Sequence, residues 1–102
     1  MAEVARPLDC TVIGDVLLDI TVNVNNLQHG TIRGGTTYCR KAKIDFGGSE
    51  NVAVGLSRLG GQTAFVGKAG NDPLGKLYIQ DLKKNGVRTK VFFDRHSPTG
   101  FV

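Results

Sequence analysis

The stretch Gly47–Gly75, GGSENVAVGLSRLGGQTAFVGKAGNDPLG, decides the fold. Val52, Ala53, Leu56 and Leu59 recur at helical spacing behind Ser49, a favourable N-cap, and Gly60-Gly61 end the run. Thr63-Ala64-Phe65-Val66 is β-branched and aromatic and reads as a strand. A second helix then starts at Asp72, which caps it, with Pro73 at its first position. Turn, helix, strand and helix in that order are the building units of an α/β sheet with parallel strands.

The flanking sequence extends this pattern in both directions. Downstream, Leu74, Leu77, Tyr78 and Leu82 form the apolar stripe of the second helix, Lys83-Lys84 suit its C-terminal dipole, and Gly86 ends it. Val91-Phe92-Phe93 is the next strand, and Pro98–Val102 begins one more. Upstream, Asp9–Gly14 reads as a short buried strand. Ile20–Asn25 alternates apolar and polar residues, as a strand with one wet face does. A polar, glycine-bearing loop over Asn26–Gly35 leads to a second extended candidate, Thr36–Phe46. Two half-exposed strands, near 20–25 and 36–46, predict a small sheet standing off the main body.

A chain of 102 residues is about one domain, and 40% apolar with 22% charged residues is ordinary globular material. No apolar run approaches the ~20 residues of a membrane span. The N-terminus lacks the basic and apolar segments of a secretion signal, so a cytoplasmic location is expected. Cys10 and Cys39 fit no metal spacing; Cys10 is expected as a small buried hydrophobe, and a disulfide is not expected between them. The net charge of +4 gathers densely only at Arg40-Lys41-Ala42-Lys43, which reads as a solvated strand face. No zinc finger, aromatic RNA-binding motif or basic helix accompanies it, so no nucleic-acid partner is expected. The chain ends inside an apolar run with no capping signal and is read as a truncated piece of a longer domain.

Two places carry candidate chemistry. Phe46-Gly47-Gly48-Ser49-Glu50-Asn51 sits where a strand gives way to a helix. The glycines free space for a ligand, and the helix start offers unpaired N–H groups and a positive dipole end. Asn51 can both donate and accept hydrogen bonds there. Taken alone, the same residues are better described as a glycine turn with an ordinary cap. Neither a GxGxxG fingerprint nor a GxxxxGK[ST] loop is present. Asp15 and Asp19 follow the first strand, at the end of a sheet where α/β proteins bind ligands. A carboxylate between Leu18 and Ile20 is costly to desolvate unless something donates to it, and a hydroxyl-rich substrate would. Asp15 fits an exposed turn aspartate as well as a functional one.

The glycine pair Gly47-Gly48, Asn51 just inside a helix, Ala53 two positions on, and Gly60 and Gly70 at set distances resemble the first signature of the PfkB (ribokinase) family of carbohydrate kinases. Ser49 departs from that signature, which has Gly, Ala or Pro there. VIGDVLLDI (Val12–Ile20), DPLGKLYIQDLKKNGV (Asp72–Val87) and PTGFV (Pro98–Val102) resemble the family's first strand, next helix and lid-returning strand, so the likeness spans nearly all 102 residues. The resemblance implies a ribokinase-like α/β fold with a β lid that in relatives also forms a dimer clasp, hence a homodimer. It implies transfer of the ATP γ-phosphate, with Mg²⁺, to a sugar hydroxymethyl group. Asp19 falls on the sugar-binding aspartate, and Gly47, Gly48 and Asn51 on groups that complete the sugar site, with a lesser role for Asp15. The catalytic aspartate of the family is expected beyond residue 102. A nucleoside kinase of the adenosine type shares these motifs, and a non-catalytic binding or dimerisation module is the alternative from another class.

Overall fold

The computed structural model describes residues 7–23, 39 and 41–102. Among these residues, six strands and two helices run in the order β1 (Cys10–Ile13), β2 (Val16–Val22), β3 (Ala42–Gly48), α1 (Glu50–Arg58), β4 (Thr63–Gly70), α2 (Pro73–Lys84), β5 (Arg88–Asp94) and β6 (Gly100–Phe101). They form two three-stranded sheets. One is wholly parallel, in the order β1-β4-β5, and α1 and α2 are its crossovers. The other has β2 at its centre, antiparallel to β3 and parallel to β6.

The α2 start follows its sequence closely. Asp72 Oδ1 accepts from the Gly75 backbone N–H at 2.9 Å, and Pro73 occupies the first turn, where its missing N–H has no intrahelical partner to lose. Asp72 also accepts from the Thr99 N–H and hydroxyl, both at 2.7 Å, tying the start of α2 to the strand that enters the lid sheet. The buried Thr99 hydroxyl in turn accepts from the Gly70 N–H at 3.1 Å. Gly86, at φ 79°, ends α2 in the left-handed conformation that glycine adopts without strain. The helix ends are joined as well: Ser57 Oγ donates to the Asn85 carbonyl at 2.6 Å, and the Arg58 guanidinium donates to Asn85 Oδ1.

The α1 start differs from the expected cap. Ser49 occupies the N-cap position, but its backbone is already helical and its side chain caps nothing. It lies instead against Gly14, where any added Cβ would overlap the Ser49 side chain. The helical stripe is also rotated from the expected one. Ala53 and Val54 are buried with Glu50, while Val52 and Leu59 are exposed, so the face of α1 that meets the sheet runs through Glu50, Ala53 and Val54. On α2, Leu77 is exposed; the buried positions are Gly75, Tyr78 and Leu82. The core gathers Val16, Leu18, Ala53, Val54, Phe65, Ala69, Tyr78, Leu82 and Val87, with Val12, Phe46, Leu74 and Val91 packed against it. Cys10 is half-buried rather than buried, and both cysteines are free.

The lid strands are displaced along the chain from the ranges expected of them. Val16–Asp19, which precede the expected strand near 20–25, are the first half of β2, and Gly47-Gly48 is the end of β3 rather than a turn. Val16, Leu18 and Ile20 alternate in step with the later Val22, so one continuous pleat runs through the whole segment. Residues 24–25, 36–38 and 40, which the expected strands included, lie outside the described residues. No helix among the described residues is long and apolar enough to cross a membrane.

Candidate acceptor site

The register of β2 on β3 assembles the site. Leu17 opposes Gly47, Asp19 opposes Asp45 and Thr21 opposes Lys43, so these six share one face of the lid sheet. Val16, Leu18, Ile20 and Val22 share the other face with Phe46, Ile44 and Ala42. That second face is apolar throughout. It is buried at Val16 and Leu18 and open at Ile20, Val22 and Ile44.

On the polar face the half-buried Asp19 carboxylate lies diagonally over Gly47. A Cβ at Gly47 would come within 2.7 Å of Asp19 Oδ2 and 2.9 Å of Oδ1. The two glycines therefore serve different needs. Gly48 has φ 68°, which a side chain tolerates poorly, and it turns the chain into α1. Gly47 lies outside the positive-φ region and is needed for space, because any side chain there meets the carboxylate. Asp19 and Asp45 are like charges on directly opposed positions, an arrangement that costs a strand pair stability. Lys43 relieves part of it by pairing with Asp45 at 3.0 Å, at an exposed position where such a pair is worth little.

Tyr78 supports this floor from below. The sequence reading placed it in an apolar stripe, and it is fully buried, with its ring edge-on to Phe46 and tilted against Phe65. Its hydroxyl donates to the Gly47 carbonyl at 2.9 Å and lies 3.4 Å from the Asp15 carbonyl. One side chain of α2 thus holds both the β1–β2 connection and the end of β3. Burial, then the nearby Glu50 charge, hold the phenol above its ordinary pKa, so it remains a donor. The readable signal was chemical: a buried tyrosine needs a partner for its O–H, and the partner marks what the helix is built to hold.

Glu50 is the residue that the sequence reading missed. Only 2% exposed, it stands at the first position of α1, and its Oε2 has no hydrogen-bond partner among the described residues. Burial pushes its carboxyl up to about 9, aided by the hydrogen bond and charge of Asp81 on α2. It is therefore a neutral acid at physiological pH. Asn51, the next residue, is exposed on the first turn of α1.

The structure thus brings Asp19 and Gly47 into contact, with Gly48 adjoining them. Asn51 follows at the helix start. Asp15 is exposed at the junction of β1 and β2, with its backbone carbonyl facing Tyr78. Asp19 stands at the middle of a lid strand rather than at the carboxyl end of a sheet strand, because the pleat of β2 begins before it. Among the described residues no three His, Cys, Asp or Glu side chains converge as a metal site requires.

The fold, a parallel α/β unit flanked by a small sheet, agrees with what comparison with known proteins finds. The pfkB family carbohydrate kinase model matches residues 8–102, and the chain belongs to that family. It is 35% identical over 99 residues to fructokinase-2 of Oryza sativa subsp. japonica, covering 96% of this chain and 28% of that protein. It is 44% identical over 87 residues to a probable fructokinase-5 of Arabidopsis thaliana, covering 84% of this chain and 25% of that protein. A crystal structure of an uncharacterised sugar kinase from Pyrococcus horikoshii in complex with ATP superposes with a TM-score of 0.73 at 34% identity, over 90% of this chain and 28% of that one. The chain therefore spans about a quarter of the length of these relatives.

Proposed function

We propose that this chain supplies the acceptor-binding part of an ATP-dependent sugar kinase. In that reading the ATP γ-phosphate passes to a hydroxymethyl group of the sugar. The observation that carries it is the Asp19 carboxylate over Gly47, an acceptor-only group facing a space that side chains are kept out of. Asp19 accepts hydrogen bonds from sugar hydroxyls, Gly47 leaves room for the ring, and Gly48 sets the turn that brings Asn51 to the same ligand. Asp15 contributes less, since its backbone rather than its carboxylate is held at the site. The fructokinase relatives favour a ketohexose as the acceptor.

Catalysis itself lies outside these residues in this proposal. The base that activates the hydroxyl, the nucleotide site and the Mg²⁺ that neutralises phosphate charge would belong to the remainder of the kinase. The chain on its own would bind sugar weakly and turn over none. The open apolar stripe of Ile20, Val22 and Ile44 would meet its counterpart in a second copy, making the lid a dimer contact.

The test uses the longer protein that carries this chain. Sugar-dependent ADP release and sugar affinity by calorimetry are measured for the parent, for Asp19→Ala and for Asp15→Ala. A hydrogen bond to a charged group contributes roughly 1.5–3 kcal/mol, so Asp19→Ala should weaken sugar binding about 10–150-fold while ATP binding stays unchanged. Asp15→Ala should do much less. Sugar affinity within twofold of the parent for Asp19→Ala would remove the assignment.

A further inference from the structure

Between α2 and β5 lies a groove of about 450 Å³, within the usual size of a small-molecule site. Its floor is apolar. Ile79 faces it from α2, and Val91 and Phe93, two residues apart on β5, face it from the strand. Phe93 is exposed, and β5 pairs with a neighbour on one side only among the described residues, so the groove opens outward. Its polar rim carries Lys76 and Lys83, two turns apart on α2, with Gln80 between them and Thr89 on β5; the Lys90 side chain alternates to the other face of the strand, where its ammonium lies 6.0 Å from the Phe92 ring centroid. No carboxylate lines it. The ion pairs of Lys43 with Asp45 and of Lys68 with Asp94 lie elsewhere.

Lys76 and Lys83 place two like charges on one rim with no carboxylate beside them, and an anion placed between them relieves their repulsion. An apolar floor beside an exposed phenylalanine adds a surface on which a planar ring can stack. We propose that this groove binds a phosphorylated organic anion carrying a planar ring, the chemistry of a mononucleotide. The site is separate from the acceptor face and stands whether or not that reading holds.

ADP and inorganic pyrophosphate serve as probes on the 102-residue chain, followed by amide NMR shifts at low salt. ADP should shift Val91 and Phe93 saturably with a dissociation constant of about 1 mM or tighter, and more tightly than pyrophosphate. Raising the salt toward a Debye length of about 3 Å should weaken it strongly. The exposed pair Lys76→Gln/Lys83→Gln, checked by circular dichroism for an unchanged fold, should weaken it about tenfold or more. Lys41→Gln/Lys43→Gln, on the lid, should leave it unchanged. Undiminished binding to the Lys76→Gln/Lys83→Gln variant overturns the proposal, as does equal affinity for pyrophosphate and ADP. Shifts centred on Asp19 and Gly47 overturn it too, and would speak for the acceptor face instead.

Discussion

The Tyr78 hydroxyl donates to the Gly47 carbonyl at 2.9 Å, joining the middle of α2 to the residue whose bare Cα underlies the Asp19 carboxylate. A core side chain thereby sets the height of the site's floor. Tyr78→Phe keeps the ring contacts with Phe46 and Phe65 and leaves the buried Gly47 carbonyl without this donor. An unsatisfied buried acceptor costs about 1–3 kcal/mol, which should appear as a lowered urea midpoint with unchanged slope. A change in the slope instead would show that the variant alters compactness and not only the bond.

Glu50 makes a pH prediction whose sign is fixed. Its folded pKa of about 9 lies above its ordinary value of 4.5, so between those values the folded chain holds a proton that the unfolded chain has released. The unfolded state then binds fewer protons, and the contribution of this group to stability falls as pH rises through that window. Glu50→Gln removes the titration while keeping the shape. It should gain roughly 3–5 kcal/mol over the parent at pH 8, and that gain should shrink toward zero by pH 4.5. Urea unfolding of both proteins at several pH values checks it. Parallel stability curves would mean that Glu50 ionises freely.

Asp72 titrates in the opposite direction. The Thr99 N–H, then the Gly75 N–H and the Thr99 hydroxyl, hold its carboxyl below the ordinary carboxylate range. Its stabilisation is complete above the unfolded pKa and is lost as pH falls through the folded one. Asp72→Ala should therefore lower the thermal midpoint at pH 7, and by less at pH 3. It should also release Thr99 and the β6 pairing beside it, seen as faster amide exchange at Val102, whose N–H donates to the Leu18 carbonyl at 2.9 Å. Exchange there at the parent rate would show that β6 does not depend on this cap.

Much of this architecture is legible in local chemistry. Asp72-Pro73 announces α2 because an acceptor side chain and a missing N–H both suit a helix start. Gly86 and Gly60, at φ 79° and 94°, announce the helix ends for the same kind of reason. What local chemistry leaves open is register. Asp19 meets Gly47 only because β2 and β3 pair as they do, 28 residues apart in sequence, and one step of slip would turn Asp19 to the apolar face. Helix rotation is open for a related reason. In α1 the alternatives Val52 and Val54 are chemically equal, and the approach of α1 to the sheet buries Val54. The burial of Glu50 was hidden because charged residues at a helix start are ordinarily wet and favourable there.

The space above Gly47 can be tested without touching the carboxylate. Gly47→Ala adds one methyl at a position whose backbone φ does not require glycine, so no conformational strain confuses the result. That methyl would lie 2.7–2.9 Å from the Asp19 carboxylate atoms, closer than real Cβ contacts allow, and Asp19 must rotate away. If the acceptor site is as proposed above, Gly47→Ala in the longer kinase should weaken sugar binding about 10–100-fold, comparable to losing the hydrogen bond from Asp19 itself. If both changes act through the same carboxylate, they will not add. The double variant Gly47→Ala/Asp19→Ala should bind sugar about as poorly as the worse single variant, giving a coupling energy of roughly 1–3 kcal/mol in a double-mutant cycle. Calorimetry on the four proteins, each confirmed folded by circular dichroism, measures it. Full additivity would show that Gly47 meets the ligand directly and that its relation to Asp19 is incidental.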